Sequence, residues 1–219
     1  MRNNPSLLRK IVEKVMNVAF LTRFPGSNSY WNLRYKFGGT SGAGSYGEEM
    51  AHKSQFLIDF ISENNILSVI DFGCGDGNQL SNIQVSKYVG FDVSDVAIRQ
   101  CRVLYAKDPT KDFRNITQYD GERAQLALSL DVIYHLVEDA LFDEYLARLF
   151  AAADQYIIIY SSNDNSRSAH QSRHVYHRCF VEIALERFPS FQLKSAPLRS
   201  QTLGGALPGR ASFFVFERV

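Results

Sequence analysis

The sequence predicts an α/β protein built on a doubly wound, mostly parallel sheet. Three observations point there. From Glu48 onward, short apolar runs alternate with stretches whose apolar residues recur at helical spacing. The run "VIDFGCGDGNQL" (Val69–Leu80) breaks from an apolar strand into three glycines at alternate positions. "QYIIIYSS" is solidly apolar and β-branched, as a strand covered on both faces requires.

The elements follow in order. A helix is expected from about Pro5 to Thr22, with proline near its start, where a missing N–H costs little. "YWNLRYKFGGTSGAGSYGEEM" is aromatic first and then rich in glycine and serine, so its centre is a loop. Met50, Phe56, Leu57, Phe60 and Ile61 give an amphipathic helix from Glu48 to Asn64. "LSVIDFG" is the first strand, and a helix is expected after Gly77. "KYVGFDVS", "FRNITQYD", "LALSLDVIYHL" and "QYIIIYSS" supply strands two to five, with helices through "DVAIRQCRVLYA" and "EDALFDEYLARLFAAA" between them. "CFVEIALERF" is a further helix, and "FQLKSAP" and "ASFFVFERV" are two closing strands. The expected organisation is one compact domain, with residues 1–47 a helix and glycine/serine-rich lid and 48–219 the α/β unit.

Composition narrows the class. An apolar content of 45% and a charged content of 21% suit a globular protein. No uninterrupted apolar run approaches the roughly 18 residues that a membrane span needs, and the N-terminus is amphipathic rather than signal-like. Cys74, Cys101 and Cys179 share no metal-like spacing, so no metal is expected and reduced thiols in a cytoplasmic protein are the plain reading. The net charge of +1 hides an uneven distribution. Residues 1–40 carry seven Lys/Arg against one acid, 41–160 nine against eighteen, and 161–210 seven against three. Basic flanks around an acidic middle suggest an anionic partner. No RNA-binding module is recognisable and the whole chain is barely basic, so nucleic acid is not the expected partner.

The glycine loop sets the ligand class. A nicotinamide fingerprint would read G-x-G-x-x-G, but here the third glycine comes one residue early and Asn78 stands where the fingerprint wants glycine. Asp92, at the end of the second strand, is placed to accept ribose hydroxyls, and Asp120-Gly121 to meet an adenine amine. Together "DFGCGDG", "GFDVS" and "QYDG" resemble the three cofactor motifs of class I S-adenosylmethionine-dependent methyltransferases, and "LSLDVIYHL" resembles the next motif. The resemblance spans Ser68 to Ser161. It implies a seven-stranded Rossmann-like sheet ending in an antiparallel hairpin, with S-adenosylmethionine as cofactor and S-adenosylhomocysteine as product. It further implies that Asp71, Gly73, Cys74 and Gly75 surround the amino-acid end of the cofactor. Asp92 would hold the ribose, Val93 flank the adenine, Asp120 and Gly121 bind the adenine amine, and Ser129 sit beside the sulfonium.

The acceptor side falls in the variable segments. The glycine/serine stretch before Glu48 reads either as a lid or as an anion cradle. Tyr30, Trp31, Arg34 and Tyr46 are candidates to wall the pocket. "RHVYHRCF" groups Arg173, His174, Tyr176, His177 and Arg178 just before a helix. His174 is the first candidate for a general base or substrate anchor, His177 the next, and His135 is either structural at its strand end or part of the acceptor site. "YW…RY…GG.SG.GSYG" with "HVYHR" is similar to bacterial small-molecule O-methyltransferases acting on surface-polysaccharide sugars or their phosphoramidate groups. The expected activity is O-methylation of a small anionic, phosphorylated or sugar-like acceptor. An RNA methyltransferase and a non-catalytic S-adenosylmethionine-binding protein are the alternatives. The N-terminal helix offers a face for a homodimer.

Overall fold

The computed structural model describes residues 24–167, 171–195 and 211–219. The helix expected over Pro5–Thr22, and with it the dimer face, lies outside the described residues. Helices α1 (Ser27–Lys36) and α2 (Gly47–Glu63) precede β1 (Ser68–Phe72). Then come β2 (Lys87–Asp92), α3 (Asp95–Leu104), β3 (Lys111–Asn115), β4 (Ala124–Leu130), α4 (Asp139–Ala152) and β5 (Ala153–Ser161). Helix α5 (Phe180–Arg187) leads to the final strands β6 (Phe191–Ser195) and β7 (Ser212–Arg218). The sheet has seven strands in the order β3-β2-β1-β4-β5-β7-β6. Strands β1 to β5 are parallel, while β7 runs antiparallel to both β5 and β6.

Strand periodicity divides the core. Ile157 and Ile159 point to the face covered by α4 and α5, with Leu146, Phe150 and Phe180. Ile158 points to the other, with Leu57 and Ile61 of α2 and Ile98 of α3. All three isoleucines are fully buried, as the continuous apolar run requires.

Two expectations need correction. The stretch after Gly77 forms only one 3-10 turn, Asn78–Leu80. The glycine turn takes up the first part of the connection, and β2 begins at Lys87 soon after that single turn. Leu80 and Ile83 pack instead with Leu57 and Ile61, so α2 covers that part of the sheet. The third strand stops at Asn115, whose side chain and Gln118 form a capping box that turns the chain away. The fourth strand lies within "LALSLDVIYHL" as expected and stops at Leu130, because Asp131 takes a left-handed φ of 60° and a 3-10 turn over Ile133–His135 follows. The centre of the glycine/serine stretch is a loop as expected, and the aromatic lead-in, to which the sequence assigned no element, is helix α1.

Candidate active site

Strand order reverses between β1 and β4, and ligands of open α/β sheets bind beyond the carboxyl ends of the strands at such a point. A cavity of about 270 Å³ lies there. Asp71 to Gly75 form its floor beyond β1, Asp92 and Val93 flank it beyond β2, and Ile116 and Thr117 beyond β3. Asp131, Val132 and His135 come from the end of β4, Lys53 from α2, and Tyr145 from α4. Trp31, Tyr35, Ser41 and Ser45 cover the top.

The glycines are there for clearance. Gly73 has φ 91°, and a Cβ on it would overlap Val132. Gly75 has φ 59°, and a Cβ would meet Ser41 and come within 2.9 Å of the Tyr35 hydroxyl. Asp92 accepts from the backbone N–H groups of Gly75 (3.0 Å) and Ser94 (2.9 Å), which fixes the loop against β2. Burial nevertheless pushes its carboxyl up to about 6. Asp71 accepts from the Tyr88 hydroxyl at 2.7 Å through Oδ2, while its buried Oδ1 has no hydrogen-bond partner. Burial raises its pKa to about 7.

The covering segment is tied to the same loop. Ser41 N–H donates to Asp76 (3.1 Å), Asp76 N–H donates to Ser41 Oγ (3.0 Å), and the Tyr46 hydroxyl donates to Asp76 (2.6 Å). Asn78 reaches back to the Ser45 carbonyl at 2.6 Å. Opposite, the Lys53 ammonium pairs with Asp131, and the Tyr134 hydroxyl donates to the other Asp131 oxygen at 2.7 Å. The Lys53 side chain is 1% exposed and that of Asp131 16%, so the pair sits in the wall rather than in water.

Residues 45–196 match the methyltransferase domain family. The chain belongs to that family. It is an S-adenosylmethionine-dependent methyltransferase. Among solved structures, the methyltransferase domain of bacterial CtHen1-C aligns with a TM-score of 0.60 at 16% identity, covering 77% of this chain and 98% of that one. The N-methyltransferase NodS from Bradyrhizobium japonicum WM9, in complex with S-adenosylhomocysteine, gives 0.60 at 16%, covering 78% and 87%. Magnesium protoporphyrin IX methyltransferase (ChlM) from Synechocystis PCC 6803, with bound S-adenosylmethionine, gives 0.58 at 15%, covering 99% and 100%. At such identities these likenesses concern the fold. No curated protein matches the chain.

The cavity of this methyltransferase suits a cofactor with a cationic amino-acid end. The unpartnered Asp71 Oδ1 is a buried acceptor waiting for a donor, and the backbone at Gly73 and Gly75 leaves room that side chains would fill. Of the residues singled out from sequence, Asp71, Gly73, Cys74, Gly75, Asp92, Val93, Trp31 and His135 line the cavity. The others do not. Asp120 is exposed beyond the turn that ends β3, as is Gly121, and Ile116 and Thr117 take the wall position instead. Ser129 is fully buried behind the wall, 2.7 Å from the Tyr145 hydroxyl.

The basic loop is largely structural in this methyltransferase. Arg178 is buried and donates to the carbonyls of Leu136 (2.6 Å) and Val137 (3.0 Å) and to Asp139 (2.7 Å). Tyr176 packs under the Arg178 guanidinium and receives a hydrogen bond from Arg167. His177 contacts Ser162, and Arg173 lies exposed outside the cavity. His174 stacks on Tyr30 at 4.3 Å and lies 5.3 Å from His135, behind the cavity wall. Arg34 is spent on the Thr40 carbonyl and the Tyr30 hydroxyl, and Tyr46 on Asp76. Burial pushes His174 down to about 4, with Arg34 adding to it, and burial pushes His135 down to about 4. His135 Nδ1 lies 2.9 Å from the His174 carbonyl, so that nitrogen carries the proton.

Sequence reasoning passed over Lys53 and Asp131. A signal existed for Lys53, which falls three residues after Met50 and four before Leu57, inside the buried stripe of α2. A lysine there needs a partner. Among the described residues there is no group of His, Cys, Asp and Glu arranged to hold a metal, and no helix long and apolar enough to cross a membrane.

Proposed function

We propose that this methyltransferase methylates a hydroxyl of a small, sugar-like acceptor. The roof carries the reading. Residues before α2 line the cavity and are hydrogen-bonded to the cofactor loop through Asp76, an arrangement that narrows the cavity and suits a small molecule. In this reading residues 1–47 form the covering segment and 48–219 the catalytic unit. Asp71 would accept from the amino group of the cofactor and Asp92 from the ribose hydroxyls. Gly73, Cys74 and Gly75 would lie along the amino-acid end, Val93 beside the adenine, and Ile116 and Thr117 at the adenine edge. The bound cofactor supplies an electrophilic methyl on a sulfonium.

Charge in the wall favours a neutral acceptor over a phosphorylated one. Asp71, Asp92, Asp131 and Glu144 line it, against Lys53 and Arg148. Lys53 is paired with Asp131, and Arg148 with Glu144 at 2.6 Å. The test is transfer from deuteromethyl-labelled S-adenosylmethionine to parallel panels: methyl glycosides, sugar phosphates, primary amines and total RNA. Label on a neutral glycoside is the expected result. Label confined to amines or RNA would overturn the proposal.

A further inference from the structure

Resting on the hydroxyl-acceptor reading, we infer that Asp131 is the catalytic carboxylate on the acceptor side, holding the acceptor hydroxyl at the transferring methyl and taking its proton. Four observations converge on it. Asp131 and Asn65 are the non-glycine residues with positive φ among those described, and only Asp131 lines the cavity. A residue held in the left-handed region costs about 1–3 kcal/mol, and such strain gathers where geometry serves a site. Its neighbour Val132 lies against Gly73, so the carboxylate stands next to the turn that faces the amino-acid end of the cofactor. Its backbone N–H is fixed to the Tyr160 carbonyl at 2.9 Å. The roof also leaves space for it: a Cβ on Gly44 would come within 3.0 Å of Asp131 Oδ2.

The carboxylate is held and still has capacity. Lys53 occupies one lone pair of Oδ2 and Tyr134 one of Oδ1, and each oxygen keeps a second. As a lone pair of the acceptor oxygen forms the new O–CH3 bond, the S–CH3 bond breaks and its electrons remain on sulfur. The acceptor O–H proton passes to Asp131. An oxygen that is gaining a methyl group is strongly acidic and releases its proton readily to a carboxylate. His135 is the other acceptor in this wall, but it packs edge-on against Trp31 at 4.9 Å, in surroundings that disfavour an imidazolium.

The test needs no acceptor. Sinefungin carries an ammonium-bearing carbon where the cofactor has its methyl sulfonium, and S-adenosylhomocysteine has neither. Calorimetry with both ligands on wild type, D131N, K53M/D131N and H135Q reads out the position of the carboxylate. Asparagine tolerates a left-handed φ, so D131N keeps the backbone. The double variant removes the buried pair as a unit, which protects the fold and leaves no bared lysine. The expected result is a loss of at least about tenfold in sinefungin affinity for both Asp131 variants, with S-adenosylhomocysteine changed less than about twofold. H135Q should keep the sinefungin preference. Equal losses for the two ligands, no loss, or a loss found in H135Q instead would overturn the inference. None of these outcomes depends on whether the glycoside panel is labelled, so the two proposals fail separately.

Discussion

At the β1–β2 end of the cavity a glycine turn presents backbone between the Asp71 and Asp92 carboxylates, and at the β4 end the wall is made of side chains. Gly73 and Gly75 present main-chain atoms to the cavity, because a Cβ at either position has nowhere to go. Across the cavity, Lys53, Asp131 and Tyr134 form a side-chain cluster on two separate elements, under a roof supplied by a third. A backbone turn fits one shape of ligand and tolerates almost no substitution. A side-chain wall can be altered one residue at a time, so the acceptor can change while the cofactor stays the same.

The largest effect that would break this contrast is at Gly73. Gly73→Ala combines left-handed strain with overlap on Val132, about 2–4 kcal/mol together. S-adenosylhomocysteine affinity should then fall by about a hundredfold. Adding Val132→Ala removes the overlap but not the strain, so calorimetry should show partial recovery; wild-type affinity in Gly73→Ala alone would refute the contrast. Next, Arg178→Met leaves two buried carbonyls without a donor. It should destabilise the fold by about 2–3 kcal/mol in thermal unfolding without altering cofactor affinity. A lost affinity with unchanged stability would return Arg178 to the site.

The third effect depends on pH. With Asp71 raised to about 7, the empty site holds a proton on that carboxyl below neutrality, and the cofactor's amino group displaces it. S-adenosylhomocysteine affinity should therefore be greatest above pH 7. It should weaken by about tenfold per pH unit on acidification, and more steeply below about 6, where Asp92 also takes up a proton. His135 and His174, held near 4, stay neutral through this window. Asp71→Asn should flatten the upper part of the profile. The smallest effect is at Asp120, where replacement by alanine should change S-adenosylhomocysteine affinity by less than about twofold, as for an exposed position.

The same contrast explains what the sequence disclosed. The glycine turn, the acid closing β2 and the alternation of strands and helices are local patterns, and the residues they singled out line one end of the cavity. Asp120 falls outside the cavity because the capping box at Asn115 ends β3 early, and Ile116 and Thr117 line the cavity there instead. The far end is assembled from distant segments: Lys53 meets Asp131 across 78 positions, and Asp76 meets Ser41 across 35. Arg178 looked like a ligand group because its charge was visible and its carbonyl partners were not.

The reciprocal bonds between Ser41 and Asp76 bear on how such an enzyme can be redesigned. A covering segment transplanted from another enzyme would arrive without the hydroxyl and amide that Asp76 answers, and the cofactor loop would lose its bracing at the same moment. New acceptor range by segment exchange therefore requires moving residues 37–46 and 76–78 together, as one cassette drawn from both sides of β1.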